Sequence, residues 1–210
     1  MNWNTITLKQ YQDIYPILLR DDLTNLDKAV RVLSTLLEIS EDEIDSWPLN
    51  KLNEYRSDVA FLFNDEIPSK VPKYIYTNGK RYRFVHEIQK MPAARYIEAK
   101  TYSQADLIAN LHKVMASCVM PQRKTWLGWR DCKYNAADHM LYAEDMKHAK
   151  FMDVHNCVVF FYLVFAEWIR TSQDFLTSQF KTILPEDQAT GLVKLMAGSI
   201  QPPRLQNTNE

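Results

Sequence analysis
The residues predict an α+β fold dominated by helices, with a helical N-terminal part, one central β-hairpin and a larger helical C-terminal part. Three observations carry this expectation. Apolar side chains recur at three- and four-residue intervals along most of the chain, the spacing of helices with one buried face. An Asn78-Gly79 pair separates KYIYT from KRYRFV, the pattern of two short strands joined by a tight turn. Finally, 46% hydrophobic against 24% charged residues in a chain of 210 supplies one generous core or two small ones, which excludes disorder across its length.

In chain order, Thr7 with Gln10 forms a capping box that opens a short helix on which Leu8, Tyr11 and Ile14 share a face; Pro16 is expected to interrupt it. Leu26, Ala29, Val30, Leu33, Leu36 and Leu37 mark an amphipathic helix from about Thr24 to Glu38. Ser40 with Glu43 caps another short turn. Pro48 then starts a helix carrying Leu49, Leu52, Tyr55, Val59 and Leu62. NDEIPSKVPK breaks the pattern with two prolines and several charges, which places a boundary near residue 68. Three regions follow: 1–68 helical, 69–200 hairpin plus helices, and 201–210 a polar tail.

Asn78-Gly79 supplies the two positive-φ residues of a type I′ turn. If Thr77 pairs with Lys80, then Ile75 faces Tyr82, while Tyr74 and Tyr76 stand opposite Arg83 and Arg81. One face is apolar and the other alternates Tyr with Arg. An isolated hairpin is marginal in water, so the Ile75, Tyr82 and Phe84 side must pack on helices or pair with another chain. Pro92 opens the next helix. Ser103 with Asp106 is expected to cap another, whose Leu107, Leu111, Val114, Met115 and Cys118 stripe stops at Pro121. PQRKTWLGWRDCKYN reads as a loop. Asn135 and Asp153 are candidate caps of two further helices, the second bearing the apolar block Val158 to Ile169, and Pro185 begins a last helix that ends about Gly198.

Composition excludes several function classes. Twenty-five Lys and Arg against 26 Asp and Glu leave a net charge of -1, so no global field recruits nucleic acid, an anionic membrane or an acidic substrate. Neither GxxxxGK[ST] nor GxGxxG occurs, and four glycines leave little material for a phosphate-cradling loop. Three cysteines without CxxC spacing fit a reducing compartment better than a disulfide framework or a structural zinc site. The start MNWNTITLKQ lacks the basic and apolar regions of a signal peptide. The most apolar stretch, Cys157 to Ala166, falls well short of the ~20 residues of a membrane span and reads as a core helix.

No residue pattern specifies a reaction, and neither a cofactor nor a metal is expected. His139, His148 and His155 lie among Asp138, Glu144, Asp145 and Asp153, but HExxH is absent and the spacings fit a solvated helix face. His112 has no Ser or Cys in a nucleophile elbow beside it in sequence. Cys118 and Cys157 fall on apolar faces, as small core residues do. Two clusters stand out as candidate binding groups. Tyr74, Tyr76, Arg81 and Arg83 interleave aromatics with positive charge, a combination that serves protein contact, cross-strand packing or single-stranded nucleic acid. Trp126 and Trp129, with Arg123 and Arg130, suit either a partner contact or a lid over the protein's own core.

The order of these features resembles tail-assembly-chaperone-like proteins of tailed bacteriophages, particularly those infecting gut Bacteroidetes. The resemblance lies in ITLKQYQDIYPI, LDKAVRVLSTLLEIS with DEIDSWPLNKLNE, YIYTNGKRYRF, PAARYIEAKTYS and NLHKVMASCVMP, and spans roughly residues 5 to 180. It implies a non-enzymatic morphogenesis factor in the host cytoplasm that keeps a helical tape-measure protein soluble while tail-tube subunits polymerise around it. A structural virion component, such as a head-to-tail connector or ring protein, is the main alternative; an RNA-binding or host-directed small protein is the second. A holdase needs apolar surface for a client, and the candidates are the Leu8, Tyr11, Ile14 helix and the Trp126, Trp129 segment. Open edges of the hairpin offer a route to homo-oligomers by strand addition.

Overall fold
Eight named helices and four strands follow one another in the computed structural model, which describes residues 1–64, 66–87, 91–103 and 106–164. Helices α1 (Leu8–Leu18), α2 (Asn25–Leu37), α3 (Glu41–Asp45), α4 (Leu49–Val59) and α5 (Phe61–Asn64) precede strands β1 (Tyr74–Thr77) and β2 (Lys80–Phe84). Then come α6 (Ala93–Ser103), α7 (Leu107–Cys118), β3 (Val119–Thr125), β4 (Gly128–Asp131) and α8 (His139–Lys147). Residues 151–164 are also helical and are termed α9. The fold is mixed α+β and mostly helical, with an antiparallel sheet in its middle. The expected helix from Pro185 to Gly198, the polar tail and the end of the 158–169 apolar block lie outside the described residues.

Local capping chemistry sets four of the helix starts. Thr7 and Gln10 close a reciprocal capping box at α1, and Thr24 does the same with Asp27 at α2. Ser40 accepts from the Glu43 amide at α3. Glu38 ends α2 in a left-handed conformation, φ +57°. Three expectations are corrected. Helix α1 runs through Pro16, which sits in its last turns and forfeits the bond to the Gln12 carbonyl. Ser103 belongs to α6, and Asp106 alone caps α7 by accepting from the Ala109 amide. Asp153 lies inside α9, because the helix already starts at residue 151.

The sheet has the order β1-β2-β3-β4, all antiparallel. In the first hairpin Thr77 pairs with Lys80, Ile75 with Tyr82, Tyr76 with Arg81 and Tyr74 with Arg83, with Asn78 and Gly79 both at positive φ, as the turn chemistry requires. The segment expected as a loop after Pro121 is instead a second hairpin. Helix α7 gives way to strand directly at Val119, and Pro121 pairs opposite Tyr82. The strand tolerates this proline because its carbonyl side faces β4, beyond the end of that strand, where the Cys132 amide donates to it at 2.8 Å. Trp126 and Leu127 form the turn, and Gly128 at φ +105° supplies the positive φ that lets it close.

One face of the sheet covers the helices. Ile75, Tyr82, Phe84 and Val119 are buried there, with Phe84 edge-on to Phe160 of α9 and Tyr82 to Tyr142 of α8. Side chains from both sides of residue 68, among them Leu8, Ile14, Leu33, Ile44, Ile75, Phe84, Met115 and Phe151, form one apolar cluster. The N-terminus is pinned to it by a short bridge in which the Leu8 amide donates to the Ala149 carbonyl and the Phe151 amide to that of Ile6, both at 2.9 Å.

Asp145 of α8 fixes the hairpin's orientation. Its buried carboxylate accepts hydrogen bonds from the Tyr82 hydroxyl, from Lys80 Nζ at 2.7 Å and from Asn78 Nδ2 at 3.0 Å, while the Thr77 hydroxyl donates to its backbone carbonyl at 2.7 Å. Burial pushes the Asp145 pKa up, but the hydrogen bonds from Lys80, Tyr82 and Asn78 outweigh it and hold the pKa below the ordinary value. Asp145→Ala strands the Tyr82 hydroxyl and is expected to cost about 3 kcal/mol in urea unfolding, with Asp145→Asn intermediate. Nothing lies near a Cβ added at Gly79, so only its φ of +69° penalises substitution. Gly79→Val should therefore lower stability by about 1–2 kcal/mol, and Gly79→Asn by much less, as read from melting temperatures.

Candidate functional site
Directly opposed residues of neighbouring strands point to the same face, so the register places nine side chains on the outer side of the sheet. These are Tyr74 and Tyr76 of β1, Arg81 and Arg83 of β2, Met120, Gln122 and Lys124 of β3, and Trp129 and Asp131 of β4. Of the second cluster singled out in the sequence, Trp129 joins this face, whereas Arg123 and Arg130 oppose each other on the other side of the sheet and Trp126 stands in the turn. Arg81 is the centre of the outer face: the guanidinium lies 3.6 Å from the Tyr74 ring centroid, 5.1 Å from that of Trp129 and 5.6 Å from that of Tyr76. Its Nε has no hydrogen-bond partner, so the charge is held by aromatic faces.

Arg83 instead engages Asp131 in a two-point pair, Nη2 at 2.6 Å and Nε at 2.9 Å from Oδ2, and Gln122 Nε2 donates to the other oxygen at 2.8 Å. The Arg83 hydrogen bond holds the Asp131 carboxyl below the usual range. Half of the face's arginine charge is therefore neutralised locally. Trp126 stands 93% exposed at the hairpin tip beside Leu127, and Tyr76 is 63% exposed. Neither VMPQRKT nor GWRD alternates apolar with polar residues, and Pro121 and the Trp126-Leu127 turn gave no hairpin signal, so β3 and β4 carried little that sequence reading could find.

The other candidate surface is not a surface. Leu8 and Ile14 are fully buried, and Tyr11 stacks on Phe151 with centroids 3.6 Å apart, so that face of α1 belongs to the core. The hairpin's β2 edge is likewise closed, by β3, and β1 and β4 are the sheet's outer strands.

Several groups that resemble chemistry are spent on packing. Ser117 Oγ lies 3.0 Å from His139 Nε2, but both residues are buried, and Nε2 also meets the Lys113 carbonyl at 3.1 Å, so the pair ties α7 to α8. Cys118 and Cys157 are buried and burial pushes both thiols up, Cys118 to about 12. Among the described residues no group of three His, Cys, Asp or Glu side chains is placed to hold a metal ion. No described helix is long and apolar enough to cross a membrane. Comparison with protein-family models, curated proteins and solved structures gives no match.

His112 of α7 contacts Gln12 of α1 at 3.2 Å, and burial lowers its pKa to about 4, helped by Lys147 and Lys113. The unfolded chain therefore takes up this proton first as pH falls. Stability is expected to decline from about pH 6.5 to about pH 4, before the Asp145 contribution is lost at lower pH. Urea midpoints measured across that window should show a shallower slope in His112→Gln.

Proposed function
We propose that this chain acts by protein–protein contact through the outer face of its sheet, as a tail-assembly chaperone or allied morphogenesis factor of a tailed bacteriophage, in the host cytoplasm. The observations that support a binding role are the exposed Tyr76 and Trp129 around Arg81 and the exposed Trp126 and Leu127 at the tip of the second hairpin. Tyr, Trp and Arg are the side chains that dominate binding energy at protein interfaces, since each buries a large area at low entropic cost. The tail-assembly role itself rests on the resemblance of the sequence, and the client it implies is a long helical tape-measure protein together with tail-tube subunits.

RNA is the less favoured ligand. A groove that tracks a phosphate backbone needs uncompensated cations. Here Arg83 is paired with Asp131, which leaves Arg81, hemmed in by rings, and Lys124 as the face's cations, too few to track a phosphate backbone.

Co-expression with a tape-measure protein of a tailed phage is the direct test. The wild-type chain should co-purify with that protein and keep it soluble. Trp126→Ala/Tyr76→Ala should weaken capture at least about tenfold with an unchanged melting temperature; full capture by this variant would overturn the assignment of the face. Mass spectrometry of mature particles separates a chaperone, which is absent, from a connector or ring component, which is present at fixed copy number.

A further inference from the structure
A cleft of about 750 Å³ opens between the outer side of the sheet and the start of α6. Arg83 and Met120, opposed in the β2–β3 register, form one wall; Arg95 and Glu98 of α6 form another, with Tyr134 beside them. Arg95 is 4% exposed. Its Nη2 donates to the Val119 carbonyl at 2.6 Å, its Nη1 meets Met120 Sδ at 3.0 Å, and its guanidinium lies 4.1 Å from the Tyr134 ring centroid. The Nε is buried without a partner. A guanidinium has five N–H donors, and only two of these have acceptors on the described protein.

Among the described residues no Asp or Glu forms an ion pair with Arg95. Glu98 lines the same cleft, but its carboxylate accepts from the Tyr134 hydroxyl at 3.3 Å and the Ser117 hydroxyl at 3.4 Å. Arg95 is the third residue of α6, where the helix presents the positive end of its dipole; its own amide and that of Tyr96 donate to the Pro92 carbonyl. A cation is disfavoured at that end, and a buried one doubly so. Burial accordingly pulls the Arg95 pKa down. Lys73 and Lys133 add exposed positive charge at the rim, which also carries the exposed Glu87, while Val85, Met91 and Pro92 give an apolar lining.

We propose that this cleft binds an oxyanion carried on an apolar body, with the anionic group on the Arg95 guanidinium and the start of α6, and the body against Met91 and Met120. A planar carboxylate or a phosphate neutralises the charge and accepts from the Nη hydrogens left over, whereas Nε is closed to solvent. Such a group reaches the cleft either on a free small molecule or as an acidic side chain of a bound polypeptide.

Titration calorimetry on the full chain tests the site, with inorganic phosphate, phenylbutyrate, phenylbutyramide and a capped peptide bearing one Glu between apolar residues as probes. At least one anionic probe should saturate at one site per chain, and the uncharged amide should not. Saturation by phosphate or phenylbutyrate identifies a free anion as ligand; saturation by the peptide alone identifies a side chain. Arg95→Lys should weaken binding about tenfold by losing the fork geometry. Lys133→Glu, at the exposed rim, should weaken binding without lowering the melting temperature, which keeps the test valid if Arg95→Lys does not fold. Equal binding of the amide, no saturable anion, or unchanged affinity in Lys133→Glu and Arg95→Lys would overturn the proposal.

Discussion
The Asp145 carboxylate is the contact on which the arrangement of the sheet depends. It lies on α8, yet its partners, Asn78, Lys80 and Tyr82, all belong to the first hairpin. A buried carboxylate is tolerated only when its lone pairs are filled, and three donors fill them here. Together with the Thr77 hydroxyl on the Asp145 carbonyl, they leave one orientation of the hairpin on the helix. Because strand side chains alternate with a period of two, fixing one face inward fixes the other outward. Tyr74, Tyr76, Arg81 and Arg83 are exposed or half-exposed as a consequence of where Tyr82 is held.

The outer face carries its charge in two ways. Arg81 is embedded among rings, which leaves a cation without a carboxylate and keeps its neighbours' aromatic faces ordered. Arg83 is joined to Asp131 across two strands, so β2 and β4 are coupled through the width of β3. Exposed aromatics around a rigid centre suit recognition, since little conformational entropy remains to be lost when a partner arrives. The adjoining cleft differs in kind. Its arginine meets one ring, that of Tyr134, and no ion-paired carboxylate among the described residues, and its surroundings combine apolar walls with Lys73 and Lys133 and with Glu87 and Glu98.

Much of the architecture was legible locally. Thr7, Thr24 and Ser40 announced their helices because capping is chemistry between residues three apart. Asn78-Gly79 announced the turn, and with it the full register of the first hairpin, because few dipeptides accept two positive φ values. The second hairpin was not legible. Pro121 is a strand breaker in most settings, and its acceptance depends on β4 ending where it does. Leu8 and Ile14 show the same limit from the other side: periodicity marked them as an apolar face, but only the packing of α7, α8 and α9 around α1 decided that the face is buried.

The sequence by itself therefore determined the helical content, the hairpin turn and the two clusters of Tyr, Arg and Trp, since each is encoded within a few consecutive residues. Tertiary structure alone decided that Trp129 of the second cluster joins the face of the first, that Asp145 serves as an anchor, and that Arg95 is buried with no ion-pair partner among the described residues. Each of those depends on groups brought together from distant parts of the chain, as with the hairpin donors and α8 or Arg95 and β3. Their energetics come from burial and from distances of a few ångströms, quantities that exist only once the chain has closed on itself.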